Sequence, residues 1–311
     1  PGPACYGRGG TEPTVTDANL LLGYLDPGSP LAGGVTLDRE AAERAIAGLG
    51  ERLGLSPLET AAGIVRVASA EMARAVRVMT VERGIDPREL ALLAFGGAGP
   101  LHAAAIADEL EMRRIVVPRA SGVLSALGLV VSERRRDLVE SALLAGDALT
   151  RDAVAAVVER LAARGRAELG APEAEVRCEY DLRYAGQAFE LTLPGAPAPD
   201  PAGLRAAFDA AHAERYGYDD PEAALELVTV RVAVATPGGA LPEGAPAAAG
   251  ARATRRAIFA GEEVEAAVHR GGVAGELRGP AIVELAEATL VVPPGWAGTE
   301  REDGTIVLER A

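Results

Sequence analysis

Residues 90–110 constrain the fold of this chain more than any other stretch. Residues 90–95 form a short apolar run that ends in three glycines within four residues, and a helical pattern follows at once. This order predicts a strand, a tight turn and a helix. Pro100 suits the first turn of that helix, because the N–H that proline lacks has no helical partner there.

The three glycines also suggest a binding function. Gly96, Gly97 and Gly99 carry no side chain, so a ligand can lie directly against the backbone. The first turn of the following helix offers unpaired N–H groups and the positive end of a dipole, which suit a phosphate. The loop is therefore a candidate nucleotide site. The alternative is a glycine-packed turn between strand and helix that binds no ligand.

Composition narrows the kind of nucleotide site. All 31 basic residues are arginine, so a Walker A loop and a Schiff base on a protein lysine, as in pyridoxal phosphate chemistry, are excluded. A dinucleotide-binding fold places an acidic residue after the next strand, about 20 residues on. Here the strand predicted at 114–117 leads into Pro118, Arg119 and Ala120. A Rossmann-type dehydrogenase, which would bind NAD(P), is therefore disfavoured.

The net charge of −14 disfavours nucleic acid and anionic membranes as partners. No run of 18 apolar residues occurs. Cys5 and Cys178 are far apart in the sequence, so they predict no disulfide framework. The histidines are also far apart, and their spacing predicts no metal site. We expect a cytoplasmic protein. Because the chain opens without Met or a leading element, we also expect it to be a piece of a longer polypeptide.

The first 141 residues predict an α/β domain, since strand, glycine turn, helix and strand alternate. A capping box, Ser56 with Glu59, opens the clearest helix, which we expect to end at Gly84. The other expected helices lie at 17–25, capped by Thr16 or Asp17, at 38–49, after the glycine loop, and at 121–132, the last packed deep.

Residues 142–311 predict a smaller α+β domain with a β-rich end. Its expected helices are at 148–169 and 201–216, and a Pro-, Gly- and Ala-rich loop covers 236–252. Its expected strands are at 175–184, 189–193, 225–235, 256–259, 264–268, 281–284, 289–292 and 305–308.

Several ordered motifs show a resemblance that runs nearly end to end. They include Pro13-Thr-Val-Thr-Asp-Ala-Asn-Leu20, Phe95-Gly-Gly-Ala-Gly-Pro-Leu-His-Ala103, Arg183-Tyr-Ala-Gly-Gln-Ala-Phe-Glu190, Arg215-Tyr-Gly-Tyr218 and Gly279-Pro-Ala-Ile-Val283. On these motifs the chain resembles the C-terminal half of the A-type subunit of the hydantoinase A/oxoprolinase family. Ser69 and Glu71 depart from the asparagine expected there.

The resemblance implies part of an actin/Hsp70/sugar-kinase-like (ribonuclease H-like) nucleotide lobe, followed by the α+β domain. It implies ATP with Mg²⁺ as cofactor, and ring opening of a cyclic amide such as hydantoin or 5-oxoproline after phosphoryl transfer to the amide oxygen. It also implies two protein partners, a B-type subunit and the N-terminal half of the same subunit. Close relatives serve as the nucleotide-using subunit of ketone carboxylases. A carboxylase subunit therefore remains an alternative function for this chain, and a non-catalytic assembly fragment is another.

The resemblance also assigns site residues. Gly96, Gly97, Ala98 and Gly99 match the glycine loop that meets the adenosine side of the nucleotide in this superfold, and Asn19 is assigned to the same ligand. Asp17 and His102 are the candidate catalytic residues. Two structural interpretations stay open: Asp17 as a helix cap, and His102 as a packed side chain. Cys5, with no basic neighbour closer than Arg8, is a poor nucleophile candidate.

The phosphate-binding hairpin and the second phosphate loop of this superfold are not found in the sequence. Phosphoryl transfer depends on charge stabilisation around the γ-phosphate. We therefore expect the isolated chain to be inactive.

Overall fold

The computed structural model describes residues 2–29, 31, 33–240, 252–273 and 275–311. The chain forms two compact units. Unit 1 comprises Pro1–Gly128 and Pro242–Ala311, and unit 2 comprises Leu129–Leu241. Unit 2 therefore interrupts unit 1 in the sequence.

The helices and strands are numbered in chain order. The helices are α1 Val15–Leu21, α2 Arg39–Leu53, α3 Pro57–Met79, α4 Gly99–Glu109, α5 Leu124–Val131, α6 Arg151–Leu169 and α7 Pro201–Tyr216. The strands are β1 Leu92–Leu93, β2 Arg114–Val117, β3 Arg134–Ala145, β4 Glu175–Tyr184, β5 Leu191–Gly195, β6 Leu225–Thr236, β7 Arg252–Phe259, β8 Glu262–Arg270, β9 Glu276–Arg278, β10 Ala281–Glu284, β11 Thr289–Val292, β12 Trp296–Glu300 and β13 Ile306–Arg310.

The helix starts follow from local hydrogen bonds. The predicted capping box of α3 is confirmed, because Ser56 and Glu59 each bond the other's backbone N–H. Gly84, with φ +74°, ends the short turn Val81–Arg83 after α3 rather than α3 itself. In α1 the cap is Thr14, paired with Asp17 in a second capping box, so the predicted cap at Thr16 or Asp17 is wrong.

Unit 1 contains two sheets. The first has the order β1-β2-β13-β12-β9, with β1 and β2 parallel; the second has the order β11-β10-β8-β7, with β8 and β10 parallel. One hydrophobic core of unit 1 combines residues of the first sheet with residues of α4. Its buried side chains include Ile115, Leu277, Trp296, Ile306 and Leu308. The predicted order of strand, glycine loop, helix and strand is present as β1, α4 and β2.

The sequence predicts one domain boundary after residue 141, whereas unit 1 of the structure combines residues from both sides of that position. The reason is the pairing of β13 with β2, in which Ile306 lies opposite Val117 and Leu308 opposite Ile115. Strands assigned from sequence to a second domain thus complete the sheet of the first. The mixed α/β class is confirmed.

Unit 2 is one antiparallel sheet, β3-β6-β4-β5, with α6 and α7. Tyr180, Leu182, Phe208, Leu227 and Val234 are fully buried between these elements. The sequence did not predict β3. Most of the loop predicted at 236–252 lies outside the described residues.

The expectation that residues 121–132 pack deeply is wrong. They form a short turn, Ser121–Val123, and α5, in which Leu129 is 80% exposed.

None of the helices that the structure describes is long and apolar enough to cross a membrane.

Candidate functional site

The glycine loop lies between β1 and α4. Gly96 has φ +84°, a conformation that glycine adopts without strain, and its N–H donates to the carbonyl of Ser121 at 2.7 Å. Gly97 and Ala98 are exposed, and α4 begins at Gly99 with Pro100 in its first turn. The backbone of this loop is thus open to a ligand.

A cleft of about 570 Å³ borders the loop within unit 1. This volume lies in the range of small-molecule sites, roughly 300–1,000 Å³. The lining residues are Tyr6, Thr16, Leu25, Asp26, Ser29, Leu31, Gly97, Ala98, Leu101, Arg270, Glu284, Leu285, Ala286, Glu287, Ala288 and Thr289.

The turn between β10 and β11 approaches the loop closely. A Cβ on Gly97 would lie 3.5 Å from the carbonyl oxygen of Glu287, an ordinary contact. A Cβ on Gly122 would lie 2.5 Å from the same oxygen, which a real side chain does not tolerate. Gly122 is therefore required for this approach, whereas Gly97 has room for a methyl group.

Four charged side chains form an ion-pair cluster at the base of that turn. Asp26 lies 3.0 Å from Arg255 and 3.2 Å from Arg270, and Glu284 accepts from both arginines, at 2.9 Å from Arg270 Nε. Burial raises the pKa of Asp26, but the Gly28 N–H and the two arginines outweigh it and lower the pKa overall. Arg255 Nη1 is buried without a partner among the described residues.

Asp17 lies in the first turn of α1 and does not line the cleft. It is fully buried, and its carboxylate accepts hydrogen bonds from the N–H groups of Cys5 at 2.8 Å, Ala4 at 3.2 Å and Thr14 at 2.9 Å, and from Thr14 Oγ1 at 2.7 Å. Burial raises its pKa, and these hydrogen bonds more than reverse that effect, so the pKa is lowered. The geometry supports a structural role for Asp17 as the N3 residue of the capping box that Thr14 opens, and not as the N-cap itself.

Cys5 is fully buried beside this carboxylate. Burial, and then Asp17, raise the pKa of its thiol to about 12. The residue therefore stays a protonated thiol at neutral pH, as expected for a side chain with no nucleophilic role.

His102 lies on α4, and its side chain contacts α3. Its Nδ1 lies 3.2 Å from Ser69 Oγ, and burial lowers its pKa, so the ring is neutral at pH 7. Ser69 is the residue that departs from the family's asparagine, and it supplies this polar contact. The neighbouring Leu101 lines the cleft, whereas His102 does not.

Asn19 is also buried away from the cleft lining. Its backbone carbonyl accepts from the N–H of Tyr24 at 2.9 Å. Its Oδ1 has no partner among the described residues. Of the residues predicted from sequence, Gly97 and Ala98 thus line the cleft with Gly96 and Gly99 beside them, while Asp17, Asn19 and His102 stand apart.

Sequence reasoning missed most of the cleft. Asp26, Arg270 and Glu284 are separated by up to 258 residues in the chain, and no local pattern marks them. In the described parts of the chain, no group of three or more His, Cys, Asp or Glu side chains is arranged to hold a metal ion.

Solved structures share this architecture. Nucleotide-free acetone carboxylase matches 99% of this chain and 48% of its own, with a TM-score of 0.83 and 24% identity. The ATP-dependent caprolactamase from Pseudomonas jessenii matches 100% of this chain and 48% of its own, with a TM-score of 0.65 and 32% identity. The chain is thus a mixed α/β protein with the fold of about half of each of these chains.

Sequence comparison identifies the family. Residues 1–138 match the family described as Hydantoinase/oxoprolinase, and the chain belongs to the hydantoinase/oxoprolinase family. Caprolactamase subunit alpha from Pseudomonas jessenii is 33% identical over 95% of this chain, and the acetophenone carboxylase gamma subunit from Aromatoleum aromaticum is 30% identical over 99%. The chain spans 46% of the length of each of these relatives.

Proposed function

We propose that the cleft beside the glycine loop binds the nucleoside end of ATP, and that the chain is the nucleotide-using part of an enzyme that opens cyclic amides. One observation carries the proposal: the exposed backbone of Gly97 and Ala98 borders a cleft of about 570 Å³. Ligands of nucleoside size fit clefts of this scale.

The charge of the lining supports the nucleoside rather than the phosphates. Asp26, Glu284 and Glu287 line the cleft, and Arg270 is the basic residue among its described lining residues. Arg270 and Arg255 balance Asp26 and Glu284, so Glu287 leaves the lining with a negative charge, which disfavours a triphosphate and leaves room for an uncharged base and sugar. The glycine loop therefore meets adenosine in this proposal.

The names of the relatives support the reaction. One relative is a caprolactamase subunit and the family is described as Hydantoinase/oxoprolinase, so a cyclic amide is the proposed substrate. When bound, ATP would supply the phosphoryl group that, once on the amide oxygen, makes the amide carbon a better electrophile for water. In this chain, the exposed backbone of Gly97 and Ala98 would hold the nucleoside.

We propose that Mg²⁺ and the γ-phosphate are held by residues outside this chain. The N-terminal half of the subunit would supply them, and a B-type subunit would complete the enzyme. The support is that the chain spans 46% of its relatives and that two of these are named as subunits. The proposed location is the cytoplasm.

A carboxylase subunit is the second candidate function. It is favoured by the acetophenone carboxylase gamma subunit, which is 30% identical over 99% of this chain. ATP-dependent consumption of bicarbonate with a ketone, in place of amide ring opening, would distinguish it.

ATP binding to the isolated chain, measured by calorimetry, tests the nucleotide site. Ala98→Leu places a larger side chain in the cleft, and we expect it to weaken ATP binding at least tenfold. The control is Gly48→Ala, on the exposed side of α2, where a Cβ meets nothing within 4 Å. No ATP binding by the unmodified chain, or equal binding by Ala98→Leu, contradicts the proposal.

Activity is tested separately. ADP release with 5-oxoproline, hydantoin or caprolactam is measured for the chain alone, and then with the N-terminal half and a B-type subunit. We expect turnover only in the complete mixture. Turnover by the chain alone would contradict the expectation that it is inactive.

A further inference from the structure

The Arg270 side chain is held in one orientation at the edge of the cleft. Its Nε donates to Glu284 Oε2 at 2.9 Å and its Nη2 donates to Asp26 Oδ2 at 3.2 Å. Glu284 ends β10, whereas Asp26 follows α1, so two distant segments fix the guanidinium. The side chain remains 49% exposed and lines the cleft.

The charge of this cluster is already balanced. Arg255 bonds the same two carboxylates from β7, so two guanidinium groups face two carboxylates and their formal charges cancel. An anionic ligand would have to compete with Asp26 and Glu284 for Arg270. Hydrogen bonds between charged groups are stronger than those between neutral groups, so binding of a phosphate or carboxylate here is disfavoured.

The plane of the guanidinium remains available. A guanidinium is flat and weakly hydrated, and it stacks on aromatic rings and nucleobases. Nearby, Leu25, Leu31, Leu101 and Leu285 give the cleft an apolar lining. A flat, uncharged heterocycle matches both features.

We propose that Arg270 stacks on the purine base of a nucleotide bound in this cleft, and that Asp26 and Glu284 are positioning residues that fix its plane. This inference rests on the proposed function, because it assigns the base of the same ligand. It adds a binding residue from β8, outside the residues that match the family model.

The test separates the plane of Arg270 from its charge. Arg270→Lys keeps the charge and removes the plane. Calorimetry with ATP, adenosine and inorganic tripolyphosphate is the measurement. We expect Kd for ATP and adenosine to rise about tenfold, as for loss of one stacking contact, with tripolyphosphate binding unchanged. The matched control is Arg256→Lys on neighbouring β7, where the arginine is 81% exposed.

A second variant guards against a folding artefact. Glu284→Gln leaves the guanidinium in place but weakens its clamp, so we expect a rise in Kd for adenosine of about threefold. Thermal unfolding of each variant reports whether unit 1 remains folded. An equal loss of tripolyphosphate binding in Arg270→Lys would show that the guanidinium contacts phosphate rather than the base, and would overturn the inference.

The two proposals fail in different ways. If the unmodified chain binds adenosine, Ala98→Leu abolishes binding and Arg270→Lys has no effect, then the stacking role is wrong and the nucleotide site stands. If the unmodified chain binds neither ATP nor adenosine, the nucleotide site itself is wrong.

Discussion

Asp17 links the turn Ala4–Tyr6 and Thr14 to the first turn of α1. Its carboxylate accepts hydrogen bonds from N–H groups of that turn and of Thr14, the residue before α1. The backbone N–H of Asp17 donates to the Thr14 side chain, which completes the capping box. A buried carboxylate with this many donors is a structural anion. The sequence motif alone does not distinguish this structural role from the catalytic role predicted for Asp17.

We expect Asp17→Asn to lower the free energy of unfolding by about 2–4 kcal/mol, because an amide NH₂ would face N–H donors that then lack an acceptor. The measurement is urea unfolding. Asp38→Asn is the control: Asp38 is an exposed N-cap that accepts from Ala41 N–H, and asparagine caps equally well. A similar loss in both variants would contradict the buried-anion role.

His102 gives stability a pH dependence. Its pKa in the folded state is lowered by burial, so its contribution is fully present above the unfolded value of about 6.5 and is lost as pH falls towards the folded value. We expect the free energy of unfolding to fall between pH 7.5 and 5.5, and His102→Gln to reduce that slope.

A second variant for the same slope is His269→Gln, because burial and then Arg252 also lower the pKa of His269. Each single variant should remove part of the slope, and the double variant should remove more. An unchanged slope in His102→Gln would contradict a neutral, buried His102.

At the scale of elements, sequence prediction worked where hydrogen-bonding residues mark a boundary. Ser56, Pro57 and Glu59 fixed the start of α3. It failed for β3, because the strand begins with three exposed arginines, Arg134, Arg135 and Arg136, which hide the apolar alternation. It failed for the depth of α5 because an apolar sequence alone does not determine what covers a helix.

Two motifs of unit 2 meet around His212 in α7. Gln187 uses its Oε1 to accept from Tyr184 N–H, so its Nε2 donates to His212 Nε2 at 3.2 Å. His212 Nδ1–H then donates to the carbonyl of Tyr218 at 2.8 Å. The motifs at 183–190 and 215–218 are thus joined through the imidazole of His212.

We expect Tyr184→Phe to destabilise unit 2 by about 1–2 kcal/mol. Its hydroxyl donates to Asp209 at 2.6 Å and accepts from Asp220 N–H at 2.9 Å, and both bonds are lost. Chemical denaturation is the measurement. Tyr216→Phe, on an exposed ring, should change stability by less than about 0.5 kcal/mol; equal effects would contradict this assignment.

At the scale of the whole molecule, the sequence predicted the glycine loop but not the cleft. The loop is a local pattern, whereas Asp26, Arg270 and the turn that contains Glu287 come together only through pairing of β8, β10 and β11. Such long-range pairing is set by the complete core and leaves no local signal.

The two units also predict how fragments behave. Residues 129–241 contain a complete sheet with both covering helices, so we expect this fragment to unfold cooperatively, as followed by circular dichroism. Residues 1–128 alone lack β13, the antiparallel partner of β2 that carries Ile306 and Leu308, and should not fold. Cooperative unfolding of 1–128 alone would contradict the discontinuous unit.

The interruption of unit 1 sets an order of events during synthesis. A ribosome completes residues 129–241 before it makes the strands that complete the first sheet of unit 1. The cleft beside the glycine loop therefore forms last, and a nascent chain released early would carry the glycine loop without the turn between β10 and β11.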